Sequence, residues 1–328
     1  LFNGCQTCLQ NSRNQQSAWS LDHAIEVVEQ AFKDYSKNVI SMGKRGTLDV
    51  DSNGDACIFL PAVHKRKKYY SMKYAASFPS CGAKGLPTVQ SVIWIFSAET
   101  GNVCAMIQAN ALTAIKTGAA SAVATRYLAK KDAGVLTIIG AGNQAQMQLA
   151  CISQVRDLKE IRLVDLNLDK CENLKNWTIK NLDLCIPIIM SSTADEAVKY
   201  ADIIVTCTTS SRPVLKGELI KPGTHINAIG SFTPEMQEID AQTVLRSDKI
   251  ITDAVMETWN CAGDLIVPVN KGLIPRTTAI CELGDIIEKK ITGRSSNEEI
   301  TLYESVGFAP LDLAVGIETF QRLKSSLK

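Results

Sequence analysis

Residues 135–145, Val-Leu-Thr-Ile-Ile-Gly-Ala-Gly-Asn-Gln-Ala, constrain this chain more than any other stretch. Val135 to Ile139 is a short unbroken apolar run, the pattern of a strand buried on both faces of a parallel sheet. Gly140, Gly142 and Ala145 then give G-x-G-x-x-A at a turn into a helix. Gly140 permits the tight turn, Gly142 lets backbone approach a pyrophosphate, and Ala145 lets helix and strand pack closely. Asn143 and Gln144 open that helix, whose first N–H groups and positive dipole end suit a phosphate. A second run, Ile161 to Asp165, ends on an acid 20 residues after Ala145. An acid there grips the ribose hydroxyls. Strand, turn, helix, strand and acid in this order imply a dinucleotide site, which a glycine turn alone would not.

From Gly134 onward strand and helix signals alternate. Strands are predicted over Val135–Ile139, Ile161–Asp165, Ile186–Met190, Ile203–Thr206, His225–Ile229 and Lys249–Thr252. Helices fall near 143–155, 168–181, 193–201 and 239–246. A further helix is expected over 276–291, then a short strand at Thr301–Tyr303 and a last helix at Leu311–Leu323. This is the signature of an α/β fold with a Rossmann doubly wound parallel sheet.

The first third reads differently. Ser20 is a suitable N-cap for a helix over 20–37 with an apolar stripe at Ala24, Val27, Val28, Ala31, Phe32 and Tyr35. A meander comes next: Thr47–Val50 and Ala56–Leu60 across a turn at Asp51–Asp55, then Tyr69–Ala75, a loop at Gly82–Pro87, and the pair Thr88–Phe96 and Asn102–Gln108. A helix leading into a meander implies a smaller α+β domain. The helix over 110–130 is rich in Ala, Gly, Ser and Thr, and its part from 113 to 130 is expected to bridge the domains. The division expected is 1–112 with 304–328 as the α+β domain and 113–303 as the Rossmann domain.

The net charge of +1 and the lack of any Lys/Arg stripe argue against nucleic-acid binding. The densest basic run, His64-Lys65-Arg66-Lys67-Lys68, reads as a solvated loop between strands. No apolar run reaches the length of a membrane span, and Leu1–Gln16 lacks the apolar core of a signal peptide. Eleven cysteines, an odd number scattered through apolar segments (Cys57, Cys104, Cys151, Cys207), suit reduced thiols and a cytoplasmic location. Cys5-Gln6-Thr7-Cys8 has no second pair spaced for zinc and no thioredoxin-like context. His23, His64 and His225 stand at no metal spacing and read as structural, so no metal site is expected.

Five stretches carry a family resemblance: Gly85-Leu86-Pro87-Thr88-Val89-Gln90, Leu112-Thr113-Ala114-Ile115-Lys116-Thr117-Gly118-Ala119-Ala120-Ser121, Gly140 to Ala145, Gly223-Thr224-His225-Ile226-Asn227-Ala228-Ile229-Gly230-Ser231, and Glu282-Leu283-Gly284-Asp285. In these the chain resembles the ornithine cyclodeaminase/mu-crystallin family of nicotinamide-dependent enzymes. The resemblance implies a Rossmann domain, a second domain that binds substrate and forms a homodimer through a β-sheet, and an active site in the cleft between domains. Family members act at the α-carbon of a small α-amino or α-imino acid.

Carried over by that resemblance, Arg45 is the substrate-carboxylate residue and Lys73 the catalytic lysine. A planar cation suits a carboxylate. Lys73 lies among apolar and aromatic residues, Tyr70-Ser71-Met72-Lys73-Tyr74, where burial brings an amine towards the working pH. Thr88 is carried over as a nicotinamide-side hydroxyl. Lys116 departs from the family's usual Arg; it keeps the charge near substrate carboxylate or cofactor phosphate and loses the fork. The cofactor residues expected are Thr88, Lys116, Gly140, Gly142, Asn143, Gln144, Asp165, Thr208, Ile229, Gly230 and Ser231. Val306 and Gly307 are expected to close the substrate side.

A second departure narrows the activity. Cyclodeaminases and the related alanine dehydrogenase carry an Asp two residues after the glycine of the sixth-strand loop, where this chain has Phe232. A phenyl ring cannot activate water or an amine, but it suits the wall of a pyrroline or piperideine pocket. The loop Gly230-Ser231-Phe232-Thr233-Pro234-Glu235-Met236 is similar to that of the family's Δ1-pyrroline-2-carboxylate reductases. The expectation is therefore NAD(P)H-dependent reduction of a cyclic ketimine to L-proline or L-pipecolate. Asp165, with no Arg after it, points to NAD(H) and leaves NADP(H) open. Ornithine cyclodeaminase, an alanine- or opine-type dehydrogenase, and a crystallin-like NAD(P)- and ligand-binding protein are the alternatives.

Overall fold

The Ser20 hydroxyl accepts from the backbone N–H of His23 and starts α1 (Leu21–Ser36), which buries Ala24, Ile25, Val28, Ala31 and Phe32. The computed structural model containing it describes residues 8–9, 19–51 and 54–326. They divide into two compact units, Leu1–Lys116 with Phe308–Lys328, and Thr117–Gly307. The Cys5–Cys8 motif and the Leu1–Gln16 segment lie outside the described side chains, as do Ser52 and Asn53 of the Asp51–Asp55 turn.

In the first unit the strands are β1 (Cys8–Leu9), β2 (Ile40–Met42), β3 (Gly46–Asp49), β4 (Ala56–His64), β5 (Tyr69–Ser77), β6 (Val89–Ser97) and β7 (Val103–Gln108). Their order is β1-β7-β6-β5-β4-β2, with β3 also paired to β4. The pairing is antiparallel except between β1 and β7. The loop expected over Gly82–Pro87 is entered through a 3-10 helix, Pro79–Lys84. The basic run forms an exposed turn, but His64 is buried and faces Asp34 at 3.4 Å.

The C-terminal helix, α10 in chain order (Ala309–Ser326), packs on α1 and on β4, β5 and β6. Gly316 permits the approach: a Cβ there would meet Ile95 Cδ1 at 2.8 Å. Leu313, Val315 and Ile317 of this helix are fully buried, as are Ile93 and Ile95 of the sheet. The division between units falls within α2 (Asn110–Leu128).

The second unit holds β8 (Val135–Ile139), α3 (Asn143–Ser153), β9 (Glu160–Val164), α4 (Leu168–Asn181), β10 (Ile188–Met190), α5 (Ala194–Val198), β11 (Ile203–Thr206), β12 (His225–Ala228), α6 (Ala241–Arg246), β13 (Lys249–Thr252), α7 (Val255–Cys261), α8 (Gly263–Asn270), β14 (Cys281–Glu282), α9 (Leu283–Ile287) and β15 (Thr301–Glu304). The sheet is parallel throughout, in the order β10-β9-β8-β11-β12-β15-β13-β14. Both faces are covered. Ile203 and Val205 of β11 join one apolar cluster with Leu149 and Leu163, while Ile204 joins the other with Ile226 and Leu265. This explains why the strands read as unbroken apolar runs rather than alternating ones.

After Thr252 the structure departs from the sequence reading. The helix expected over 276–291 is only Leu283–Ile287, because Cys281 and Glu282 instead pair as a strand with β13. The Glu282 carboxylate also accepts from Val255 N–H, which anchors that extended segment. Helices α7 and α8 have no counterpart among the predicted elements. The short strand expected at Thr301–Tyr303 forms as β15, between β12 and β13.

His225 sits fully buried on β12 with its ring nitrogens 2.9 Å from Thr301 Oγ1 and 3.2 Å from Asn227 Oδ1. Burial first, and then the charge of Arg294, lowers its pKa to about 3. The unfolded ring takes up a proton near pH 6.5 and the folded ring does not. Stability is therefore expected to fall by roughly 1.4 kcal/mol per pH unit below about pH 6.5, until the ring charges in the fold. Urea unfolding at pH 7 and pH 5 checks this; a His225→Gln variant should lose the difference.

Candidate active site

In the first unit one row crosses the sheet: Leu60, Lys73, Ile93 and Ile107 are successive cross-strand partners on β4, β5, β6 and β7. All four are buried, with Lys73 only 4% exposed. The period of two that turns Ser71 and Lys73 inward sends Tyr70, Met72 and Tyr74 to the other face. A buried ammonium in an apolar row needs a partner.

The partner is Asp312 in the first turn of α10. Its Oδ1 lies 3.0 Å from Lys73 Nζ and its Oδ2 accepts from Lys116 Nζ at 2.9 Å. All three side chains are at least 95% buried, and Leu112 and Ile115 of α2 are buried with Lys116. Arg45, half-buried between β2 and β3, is close enough to act electrostatically on Lys73. Burial lowers the Lys73 pKa to about 8. Asp312 opposes that shift, while Lys116 and Arg45 reinforce it. An amine poised near the working pH can give and take a proton. Lys73 and Lys116 share the one Asp312 carboxylate, two ammoniums to one acid, and a positive site of this kind suits an anionic ligand.

In the second unit the strand order reverses between β8 and β11, the switch point at which doubly wound sheets bind ligands. Gly140 leaves β8 at φ +99, and a Cβ there would meet Thr208 Cγ2 at 2.8 Å. Gly142 is the N-cap of α3, and a Cβ on it would meet nothing within 4 Å. Its backbone therefore faces open space at a helix N-terminus, which is the cradle that a pyrophosphate requires. Asn143 is exposed beside it, and the amide oxygen of Gln144 is buried without a hydrogen-bond partner. The Asp165 carboxylate, just past β9, accepts from Ala141 N–H at 2.8 Å and from Asn167 N–H at 2.9 Å. It is thereby fixed against the glycine turn. These residues fit a dinucleotide.

Glu238, absent from the sequence reading, ties the next two strand ends together. It accepts from Thr208 N–H at 2.5 Å, Gly230 N–H at 2.7 Å and Thr206 Oγ1 at 2.9 Å. Ile229 and Ser231 flank Gly230 and are buried, and Ser231 Oγ donates to Met236 O. Phe232 is half-buried in the same loop, Val306 is buried, and Gly307 turns at φ +90.

The fold thus gathers Arg45, Lys73 and Lys116 in the first unit, and Gly140, Asp165, Thr208 and Gly230 in the second. Thr88 is exposed just ahead of β6. The residues that sequence reasoning missed are Asp312 and Glu238. Asp312 left one signal: it is a lone acid in the apolar run Phe308-Ala309-Pro310-Leu311-Asp312-Leu313-Ala314-Val315. Among the described residues no group of three His, Cys, Asp or Glu is placed to hold a metal ion.

A profile of the ornithine cyclodeaminase/mu-crystallin family matches residues 6–326. The chain belongs to that family. Among its relatives is the Δ1-pyrroline-2-carboxylate reductase of Bacillus cereus, 30% identical over 312 residues that cover 95% of each chain. A solved structure of Thermococcus litoralis Δ1-pyrroline-2-carboxylate reductase in complex with NADH and L-proline superposes with a TM-score of 0.91 at 32% identity, over 96% of this chain and 97% of that one. An archaeal alanine dehydrogenase dimer with bound NAD gives a TM-score of 0.91 at 31% identity, over 98% and 97% of the two chains.

Proposed function

We propose that this protein reduces a cyclic ketimine, Δ1-pyrroline-2-carboxylate or its six-membered homologue, to the cyclic L-amino acid. The observation that carries the reading is the buried Lys73 ammonium, its pKa lowered to about 8, in a cluster of cations built for one carboxylate. Arg45 takes the substrate carboxylate with its two-pronged guanidinium. Lys73 delivers a proton to the ring nitrogen, which makes the imine carbon electron-poor. Gly140, Gly142, Asn143, Gln144, Asp165, Thr208 and the Ile229–Ser231 backbone hold the dinucleotide. Bound there, a reduced nicotinamide supplies the hydride that the imine carbon accepts. Phe232 offers a ring in place of a base, so deamination of an open-chain diamine lacks its activating group.

Asp165 favours NADH because its fixed carboxylate accepts from ribose hydroxyls and repels a 2′-phosphate. Asp165→Ser is expected to reduce the NADH-over-NADPH preference in kcat/KM by about 10- to 100-fold, a difference of roughly 1–3 kcal/mol from removing one charge contact. Steady-state rates with each cofactor check it. The likeness to a dimeric alanine dehydrogenase supports a homodimer, which sedimentation tests. The nine cysteines whose side chains are described are free thiols. Among the described residues no helix is long and apolar enough to cross a membrane.

The deciding assay offers Δ1-pyrroline-2-carboxylate, Δ1-piperideine-2-carboxylate, ornithine, and pyruvate with ammonia, each with both cofactors, monitored at the nicotinamide absorbance. Turnover of the imines alone supports the reductase. Faster turnover of pyruvate with ammonia would make the protein an alanine dehydrogenase instead, and release of ammonia from ornithine a cyclodeaminase.

A further inference from the structure

Lys73 is reached by charge from three elements. Asp312 faces it from α10, and Lys116 from α2 on the far oxygen of the same carboxylate. Arg45 acts from the segment ahead of β3. Its neighbours within the sheet, Leu60 and Ile93, carry no charge. One carboxylate therefore holds two buried ammoniums, each on its own oxygen. Lys116 on α2 offers this carboxylate an ammonium rather than a guanidinium. A guanidinium would claim both oxygens of such a carboxylate, whereas a point-charge ammonium takes one and leaves the other to Lys73.

We propose that Asp312 is the positioning residue of this site, holding the Lys73 ammonium in place and charged, with Lys116 as the counterweight that limits its hold. The inference rests on the imine-reductase reading and adds the group that governs its proton. In the reaction the lone pair of the imine nitrogen takes the Lys73 proton, the electron-poor carbon then accepts a hydride that a bound reduced nicotinamide would supply, and the two electrons of the C=N π bond become the nitrogen lone pair of the product. The C=N double bond becomes CH–NH, Lys73 is left as a neutral amine, and solvent restores its proton before the next turnover. Asp312 keeps that amine in register while uncharged and draws the proton back onto it. Lys116 opposes this by sharing the same carboxylate.

The geometry makes opposite demands on two variants. Removing the carboxylate in Asp312→Asn takes away the group that most favours the charged lysine, so Lys73 should titrate at lower pH. Removing the rival cation in Lys116→Met frees Asp312 for Lys73 alone, so Lys73 should titrate at higher pH. An opposite charge at this distance is worth about 1–3 pKa units.

The test is a pH titration of the full-length protein labelled at lysine with 15Nζ, with the Lys73 resonance assigned by its loss in Lys73→Met. The expected midpoint lies near 8 in the parent chain. It should move down by about one unit or more in Asp312→Asn and up by about half a unit or more in Lys116→Met. The basic limb of kcat/KM for the imine should shift in the same two directions. The kcat of Asp312→Asn should fall by about 100-fold with KM changed less than about threefold, since a misheld donor affects the chemical step more than binding. If Asp312→Asn does not fold, as read by circular dichroism, the Lys116→Met shift decides. Midpoints unmoved in every folded variant would overturn the proposal. A parent chain that titrates as expected but reduces no imine would instead overturn the reductase reading and leave Asp312 as the residue that holds the lysine.

Discussion

Lys73→Met is expected to slow imine reduction by about 1,000-fold, the usual worth of a positioned proton donor, and to make the protein more stable at pH 7. The second half comes from linkage. The Lys73 pKa is about 8 in the fold against about 10.4 in an unfolded chain. Below pH 8 both states bear the proton, and the fold carries the whole cost of burying it, roughly 3 kcal/mol by the shift alone. Between pH 8 and 10.4 the folded chain sheds its proton first, and stability rises with pH. Methionine fills the same space without charge and leaves Asp312 paired to Lys116. The variant should therefore gain about 2 kcal/mol at pH 7, and the gain should vanish near pH 10. Steady-state kinetics and urea unfolding at pH 7 and pH 10 read both effects. Retention of more than a tenth of the parent turnover would remove Lys73 from the mechanism.

Glu304→Gln should change the pH profile of stability in the opposite half of the scale. Glu304 ends β15, is fully buried, and neither of its carboxyl oxygens makes a hydrogen bond within the protein. Burial, and after it the charges of Asp264, Glu238 and Asp253, raises its pKa well above the ordinary value. The folded chain keeps the proton that the unfolded chain loses near pH 4.3. The parent's stability from this group is thus full at pH 4 and declines as pH rises, by roughly 1.4 kcal/mol per unit until the cluster ionises. Glutamine has no proton to lose. It should match the parent near pH 4 and exceed it by about 2–4 kcal/mol at pH 8. Asp264, raised to about 8 by burial and then by Glu238, leaves a residual slope in the variant. Parallel stability curves for the two proteins would show that Glu304 ionises normally.

Lys73 and Glu304 differ in how far the sequence announced them, and so do the regions around them. Up to Thr252 the order of elements in the Rossmann unit was legible: β8, β11, β13 and α4 have the bounds predicted, β9, β10 and β12 shift by one or two residues, and the helices expected over 193–201 and 239–246 shorten to Ala194–Val198 and Ala241–Arg246. Parallel strands covered on both faces write continuous apolar runs, and the glycine turn after the first of them dictates a helix next. The region after Thr252 was less legible. Two short helices, a two-residue strand and a five-residue helix leave too few turns for a period to emerge. In the site, Lys73 stood out as a charge in an apolar strand. Arg45 beside Lys44 could be singled out only through family resemblance, because an exposed basic pair is the commonest of surface features.

By itself the sequence determined a doubly wound dinucleotide-binding sheet, a separate meander, a resemblance to a family of nicotinamide enzymes, and a lysine set among apolar and aromatic residues. These are local facts, carried by period, turn chemistry and spacing. The tertiary structure alone decided what meets that lysine. Asp312 is 239 residues from Lys73 and 196 from Lys116 in the chain, and only the docking of α10 on the sheet brings their charges to 3 Å. Nor could spacing reveal that Glu238 binds the ends of β11 and β12, or that Glu304, Asp264 and Asp253 are buried close enough to act on one another. The acidity of a buried group is set by burial and by its nearest charges, and both arise only when distant segments close over it.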